Sequence, residues 1–151
     1  MSDGGVGGQG GTINKMLESE KYLFVSSSDG KIHIYGTKDR ELYEKMTCHP
    51  NNILDFDIHT SGRLLVSTGT DKKIKLWNLL DTKEIYHKNI QKQIDFVRFL
   101  PDDNLLLGLD KTLVIMNINS NELDSVIEHE GRLTDVLVSE NLIISSGTNF
   151  S

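Results

Sequence analysis

The chain has 151 residues, 37% of them hydrophobic and 25% charged, a composition that suits one ordinary globular domain. Its formal net charge of −6 disfavours broad electrostatic binding to nucleic acid and leaves room only for a local basic patch. Cys48 is the one cysteine, so no internal disulfide can form, which fits a reducing compartment; no apolar run approaches membrane-spanning length, and no basic-then-apolar leader follows Met1.

Residues 1–11, MSDGGVGGQGG, are dominated by glycine and offer no core, so a disordered tail is expected. Gly5, Gly7 and Gly10 match a dinucleotide-binding fingerprint in spacing. That fingerprint needs a strand before it and a helix after it. Nothing precedes it here, and a strand starts at Thr12, so the flexible-tail reading stands.

Strands then follow one another. The first module reads as a weak strand at 12–17, strong ones at 22–26 and 31–35, and a polar outer strand at 42–47. The second has strands at 53–58, 64–66, 74–77 and 84–87. The third has 94–99, a turn at 101–104, a hairpin within 104–117 and a strand at 122–127. The fourth has only 133–138 and 142–146. Valine, isoleucine and aromatic residues mark these segments, and none carries a helical period.

The chain repeats itself. A polar turn with an acid or amide recurs at Asp29, Asp71, Asp110 and Asn149, in steps of 42, 39 and 39 residues. Six residues beyond the first three turns stand Tyr35, Trp77 and Met116. A strand-turn-strand core with a period near forty marks a propeller blade. The innermost strands are expected to alternate, with Ile53, Phe56 and Ile58, then Ile94, Val97 and Phe99, then Leu133, Val136 and Val138 pointing inward. The middle strands are apolar on both faces, as radial stacking requires. The fold class is therefore all-β: an incomplete antiparallel propeller of about three and a half four-stranded blades, with modules at about 12–48, 49–89, 90–128 and 129–151.

The segment from Gly62 to Asn78, GRLLVSTGTDKKIKLWN, preceded by His49, resembles a WD-repeat: a His, a strand, Ser-x-Gly-x-Asp, and a strand ending in Trp and a polar residue. Asn78 stands in place of the second signature letter. Residues 59–90 resemble one family in particular, the p21-activated-kinase-interacting proteins and their fungal counterparts in large-ribosomal-subunit assembly, and the likeness runs from Gly11 onward as blades two to five of a longer propeller. The resemblance implies a hydrogen-bonded cluster of His49, Ser67, Asp71 and Trp77 holding the blade. It also implies partial counterparts at Asp29 and Tyr35, at Asp110 and at His129. The chain departs from the pattern where Gly69 takes the usual hydroxyl position, where Tyr35 replaces Trp, and where Ile90 takes the place of His.

Ser, His and Asp together invite a catalytic reading, but no nucleophile-elbow signature accompanies them. Blade architecture accounts for them instead. With Cys48 alone no zinc spacing exists, and Asp55, Asp57, Asp95 and Asp135 read as a solvated rim or channel lining rather than a cation site. No catalytic residue, metal or cofactor is expected. Partner binding in such scaffolds falls on rim loops. Here those offer Ser28, Thr70, Leu109 and Thr148 before the turn acids, Asn51 and Asn52, the basic pair Lys72 and Lys73, and Arg132. The expected function is a non-enzymatic scaffold for protein–protein interaction. The family resemblance implies large-subunit (60S) assembly in the nucleus or nucleolus, with assembly factors as partners and p21-activated kinase as a regulated one. A cytoplasmic signalling adaptor that recognises a peptide or kinase domain is the alternative. Uncapped ends are expected at Leu23, Val25, Ile32 and Ile34 and at Ile143 and Ile144, and with them self-association.

Overall fold

The computed structural model describes residues 13–120, 122–128, 133–138 and 143–147. The glycine-rich segment at 1–11 and three candidate site residues, His129, Arg132 and Thr148, lie outside them. The first sheet contains β1 (Ile13–Glu18), β2 (Tyr22–Ser27), β3 (Lys31–Gly36) and β4 (Leu42–Thr47), hydrogen-bonded in chain order. The second contains β5 (Ile53–Ile58), β6 (Leu64–Gly69), β7 (Lys73–Asn78) and β8 (Lys83–Asn89) in the same order. The third contains β9 (Phe96–Phe99), β10 (Leu105–Leu109), β11 (Thr112–Met116) and β12 (Leu123–Glu128), and the fourth β13 (Leu133–Val138) and β14 (Ile143–Gly147). All pairings are antiparallel, and no helix occurs among the described residues.

The sheets fan out radially. Innermost strands β1, β5 and β9 lie side by side, and β13 packs against β9 and β10. The core is the filling between sheets. Phe24, Ile32, Ile34 and Met46 of the first sheet meet Ile53, Phe56, Leu65 and Trp77 of the second. Val66, Ile74 and Leu76 on the opposite face of the second sheet meet Val97, Leu105, Leu107, Val114 and Met116 of the third. A middle strand covered on both sides must be apolar on both. This explains why Leu65 and Val66, adjacent in β6 and on opposite faces, are both fully buried.

Two details depart from a plain alternating pattern. Ile53 and Phe56 are both buried although three residues apart, because the register shifts between Ile53 and Asp55. Such a bulge turns one extra residue and resets the faces. The turn of the third hairpin is also one residue shorter. Five residues separate paired Ser26 and Ile32, and likewise Thr68 and Ile74, whereas four separate Gly108 and Leu113. The third turn therefore folds differently, with Asp110 in the left-handed region at φ 52.

The expected exposed face of the first sheet is corrected in part. Ile32 and Ile34 are buried against the second sheet, Val25 is buried too, and Leu23 is half-buried. The face turned away from it carries Leu23, Val25, His33 and Tyr35, which the register aligns opposite one another. At the other end, β14 pairs with β13 alone among the described residues.

Candidate functional site

His49 follows the last strand of the first sheet and reaches into the second. Its backbone N–H, with that of Cys48, donates to Gly30 O (3.1 and 2.9 Å). The close approach demands glycine: Gly30 has φ +84, and a Cβ there would sit 1.9 Å from His49 O. The imidazole then lies over Gly69, where a Cβ would come within 2.6 Å of its Cγ. The glycine that breaks the expected hydroxyl position is thus the residue that admits the ring.

From that berth the ring joins a buried chain of polar groups. Its Nδ1 faces both oxygens of Asp71 at 2.9 and 3.0 Å, and its Nε2 lies 2.9 Å from Ser67 Oγ. Trp77 Nε1 donates to the same Ser67 Oγ at 3.1 Å. A carboxylate accepts only and an indole N–H donates only, so the direction is fixed: indole to hydroxyl, hydroxyl to Nε2, Nδ1–H to carboxylate. Asp71 also accepts from Lys73 N (3.3 Å), closing the turn. Burial holds the imidazole pKa below its usual value, and the Asp71 carboxylate offsets this only in part. The connectivity is that of a hydrolase relay, but Ser67 is fully buried and its lone pair is taken by Trp77. No substrate can reach it, and the cluster holds the blade.

The partial counterparts behave differently. Asp29 accepts from Ser27 Oγ and from Lys31 N (3.2 Å). These bonds with nearby positive charge hold its carboxyl below the usual range against the effect of burial. Tyr35 stands on the outward face and contacts only the tilted ring of His33 among the aromatic groups, at 6.3 Å. Asp110 is exposed and makes no such turn. Its place in the repeat count does not carry over into a role, because the shortened hairpin removes the three-residue loop.

Of the rim candidates, the structure brings Asn51, Asn52 and Thr70 together: Thr70 N donates to Asn52 O (3.0 Å), beside the Gly30 turn that follows half-buried Ser28. Leu109 is half-buried: it packs against the core between the second and third sheets and also lines a cleft with Lys72 and Lys111. Lys73 is half-buried, and Lys72 is exposed in a left-handed conformation at φ 65. Lys75, two residues beyond Lys73 in β7, turns to other partners. It pairs with Glu84 (3.4 Å) and lies over the Trp77 ring.

The solvated lining expected at Asp55 and Asp57 is instead a polar seam between the innermost strands, with Asp55 buried and Asp57 half-buried. Buried Asp55 receives Lys15 Nζ (2.6 Å), Arg98 Nη1 and the backbone N–H of Val97 (2.9 Å). Asp57 accepts from Phe99 N (2.9 Å), and burial pushes its carboxyl above the usual range. Asn14 Nδ2 donates to Ile53 O (2.9 Å) and Lys15 Nζ to Phe56 O (3.0 Å). These side chains occupy backbone groups that the free inner edge would otherwise leave unpaired. The alternation of charge with apolar residues on β5 was the only signal. Among the described residues no group of His, Cys, Asp and Glu could hold a metal ion.

The family model for the WD domain, G-beta repeat, matches residues 40–78, the span that contains His49, Ser67, Asp71 and Trp77. The chain is 26% identical over 139 residues to a p21-activated protein kinase-interacting protein 1-like of Danio rerio, covering 91% of this chain and 38% of the relative. Its likeness to the Xenopus laevis protein of the same name is 27% over 128 residues, covering 83% and 35%. It is also 32% identical over 138 residues to the nuclear distribution protein nudF 1 of Talaromyces marneffei, covering 83% and 29%. The chain thus spans between 29% and 38% of the length of these relatives. It carries a WD40 repeat, and its fanned four-stranded sheets are part of a WD-repeat propeller.

Proposed function

We propose that this WD-repeat array is a non-enzymatic scaffold that serves assembly of the large ribosomal subunit in the nucleolus, with p21-activated kinase as a regulated partner. The likeness over 83–91% of the chain to proteins named as kinase-interacting carries the reading. The kinase half draws on those printed names. The ribosomal half draws on the resemblance of residues 59–90 to the fungal assembly family. The structure supports the scaffold part through burial: the one relay-like cluster is sealed inside the blade, which leaves rim loops as the accessible polar surface.

Co-purification tests it. A tagged chain, expressed within its full-length protein, should sediment with pre-60S particles and appear in nucleoli. Recovery with a kinase or receptor complex alone, in the cytoplasm, would replace this reading with the signalling adaptor, which the relatives' names also favour. We further propose that the isolated chain self-associates through the outward face of its first sheet and the free edge of β14. Light scattering across a dilution series should show mass rising with concentration, and a constant monomer mass refutes it.

A further inference from the structure

We propose that the cleft between the turns of the second and third sheets docks a phosphorylated, acidic segment of a partner protein. The inference rests on the reading of the chain as a protein-binding scaffold and names the chemistry that one surface would take.

The cleft is an open groove of about 810 Å³. Lys72, Lys92 and Lys111 line it from three separate segments: the turn after β6, the loop after β8 and the turn after β10. All three side chains are exposed, and none has an ion pair or hydrogen bond among the described residues. Elsewhere on the chain Lys15 and Arg98 pair with Asp55, and Lys75 with Glu84.

The backbone that presents them is fixed. Lys72, Gln91 and Asp110 all take left-handed conformations, with φ of 65, 67 and 52. Among the described residues these are three of the six non-glycine residues with positive φ, and all three line the same cleft. Such conformations cost energy in residues bearing a Cβ and gather where a surface is held for use. Hydrogen bonds hold them: Ile90 N donates to Lys72 O (3.0 Å), Lys72 N to Gly69 O (3.1 Å) and Gln91 N to Asn89 Oδ1 (2.8 Å).

The lining chooses the occupant. Ammonium groups on flexible stems receive phosphate as point charges. Asp110, exposed at the same cleft, offers an acceptor that a peptide's N–H groups can use, while Asp95 beside it already accepts from Gln93 Nε2 (2.8 Å). An RNA strand carries a phosphate at every nucleotide, and the overall negative charge repels so long a polyanion. A short segment with one or two phosphates fits this mixture of cations and acceptors better than RNA does.

Fluorescence anisotropy on the purified 151-residue chain, in the context of its full-length protein if the chain self-associates, tests the proposal. The probes are a labelled peptide bearing two phosphoserines among glutamates, its unphosphorylated twin, and labelled oligouridylate. The phosphorylated peptide should bind about tenfold or more tighter than its twin. Lys92→Glu with Lys111→Glu should weaken it at least about tenfold, Lys92→Gln with Lys111→Gln less so, and Lys45→Glu on the first sheet not at all. Thermal melts of these surface variants should match the parent. Equal binding of the two peptides, indifference to both double variants, or tighter binding of oligouridylate through the same lysines overturns the proposal. Failure here with pre-60S association intact sinks the cleft alone. Peptide binding retained without that association sinks the assembly reading alone.

Discussion

Replacing Ser67 with alanine removes one oxygen from the middle of the buried relay. Trp77 Nε1–H and His49 Nε2 both bond to that oxygen, at 3.1 and 2.9 Å, and Ser67 and His49 are at most 1% exposed. Each orphaned group loses its partner without gaining water, which costs about 1–3 kcal/mol. Together they predict a loss of about 2–5 kcal/mol, a large part of a domain's usual stability of about 5–15 kcal/mol. Urea unfolding followed by far-ultraviolet circular dichroism measures it, a probe that also serves in variants without the single tryptophan. The midpoint should fall while the slope with denaturant stays constant. In a Trp77→Phe background the indole donor is already gone, so Ser67→Ala should cost about 1 kcal/mol or more less than in the parent. A loss below about 0.5 kcal/mol, or full additivity of the two changes, would refute a linked relay and leave Ser67 as a filler of space.

Other outcomes follow from the same geometry. The folded state keeps the His49 pKa below its unfolded value, so below pH about 6.5 the unfolded chain binds the extra proton. Stability should therefore fall as pH drops from about 7 to 5, a slope that His49→Gln should flatten in denaturation curves taken across that range. Burial lowers the pKa of His33 too, so some slope of the same sign should persist. Gly69→Ala should cost about 1–3 kcal/mol by overpacking against the imidazole, whereas Gly62→Ala, with φ +74 and open space around it, should cost only the backbone term of about 1–2 kcal/mol. Cys48 is 1% exposed and its thiol is pushed up to about 12 by burial. A disulfide reagent should label it only as fast as the chain opens, and rapid labelling under native conditions would contradict the packing.

The fold was legible because a propeller writes its architecture in self-similarity. Hairpin spacing located all four sheets, and apolar character on both faces of the middle strands distinguished radial stacking from a one-faced sheet. Errors came where the backbone changes count. Asp110 aligns with Asp71 by interval, but the third hairpin is one residue short, and no composition signal reports a lost loop residue. Leu109, placed at the rim by the same counting, is half-buried: it lines the cleft and packs on the core as well. Gly69 looked like a defect in the cluster because sequence shows which atom is missing and not which neighbour fills the space. The orientation of Ile32 and Ile34 depended on which face the next sheet covers, and alternation alone cannot supply that.

The inner strands decide where recognition can occur. In a four-stranded sheet the innermost strand has one edge without a partner, and its N–H and C=O groups must be satisfied by something other than a ladder. Here the neighbouring sheet's side chains do this: Asp55 and Asp57 accept from Val97 and Phe99, while Asn14 and Lys15 donate to Ile53 and Phe56. Lys15 and Arg98 then neutralise Asp55 from either side. A buried carboxylate so engaged has no oxygen left for an incoming cation, and removing either partner would strand a charge in the interior. The same holds at the His49 relay, whose members bond to one another. Polar groups of the seam and of the relay are consumed in holding sheet to sheet. What remains able to form new bonds lies at the turns, where Lys72, Lys92 and Lys111 project from a fixed backbone with no carboxylate bound among the described residues. Interior order and rim reactivity are therefore one property: the blades can present a rigid basic cleft because their own polar chemistry is complete without it.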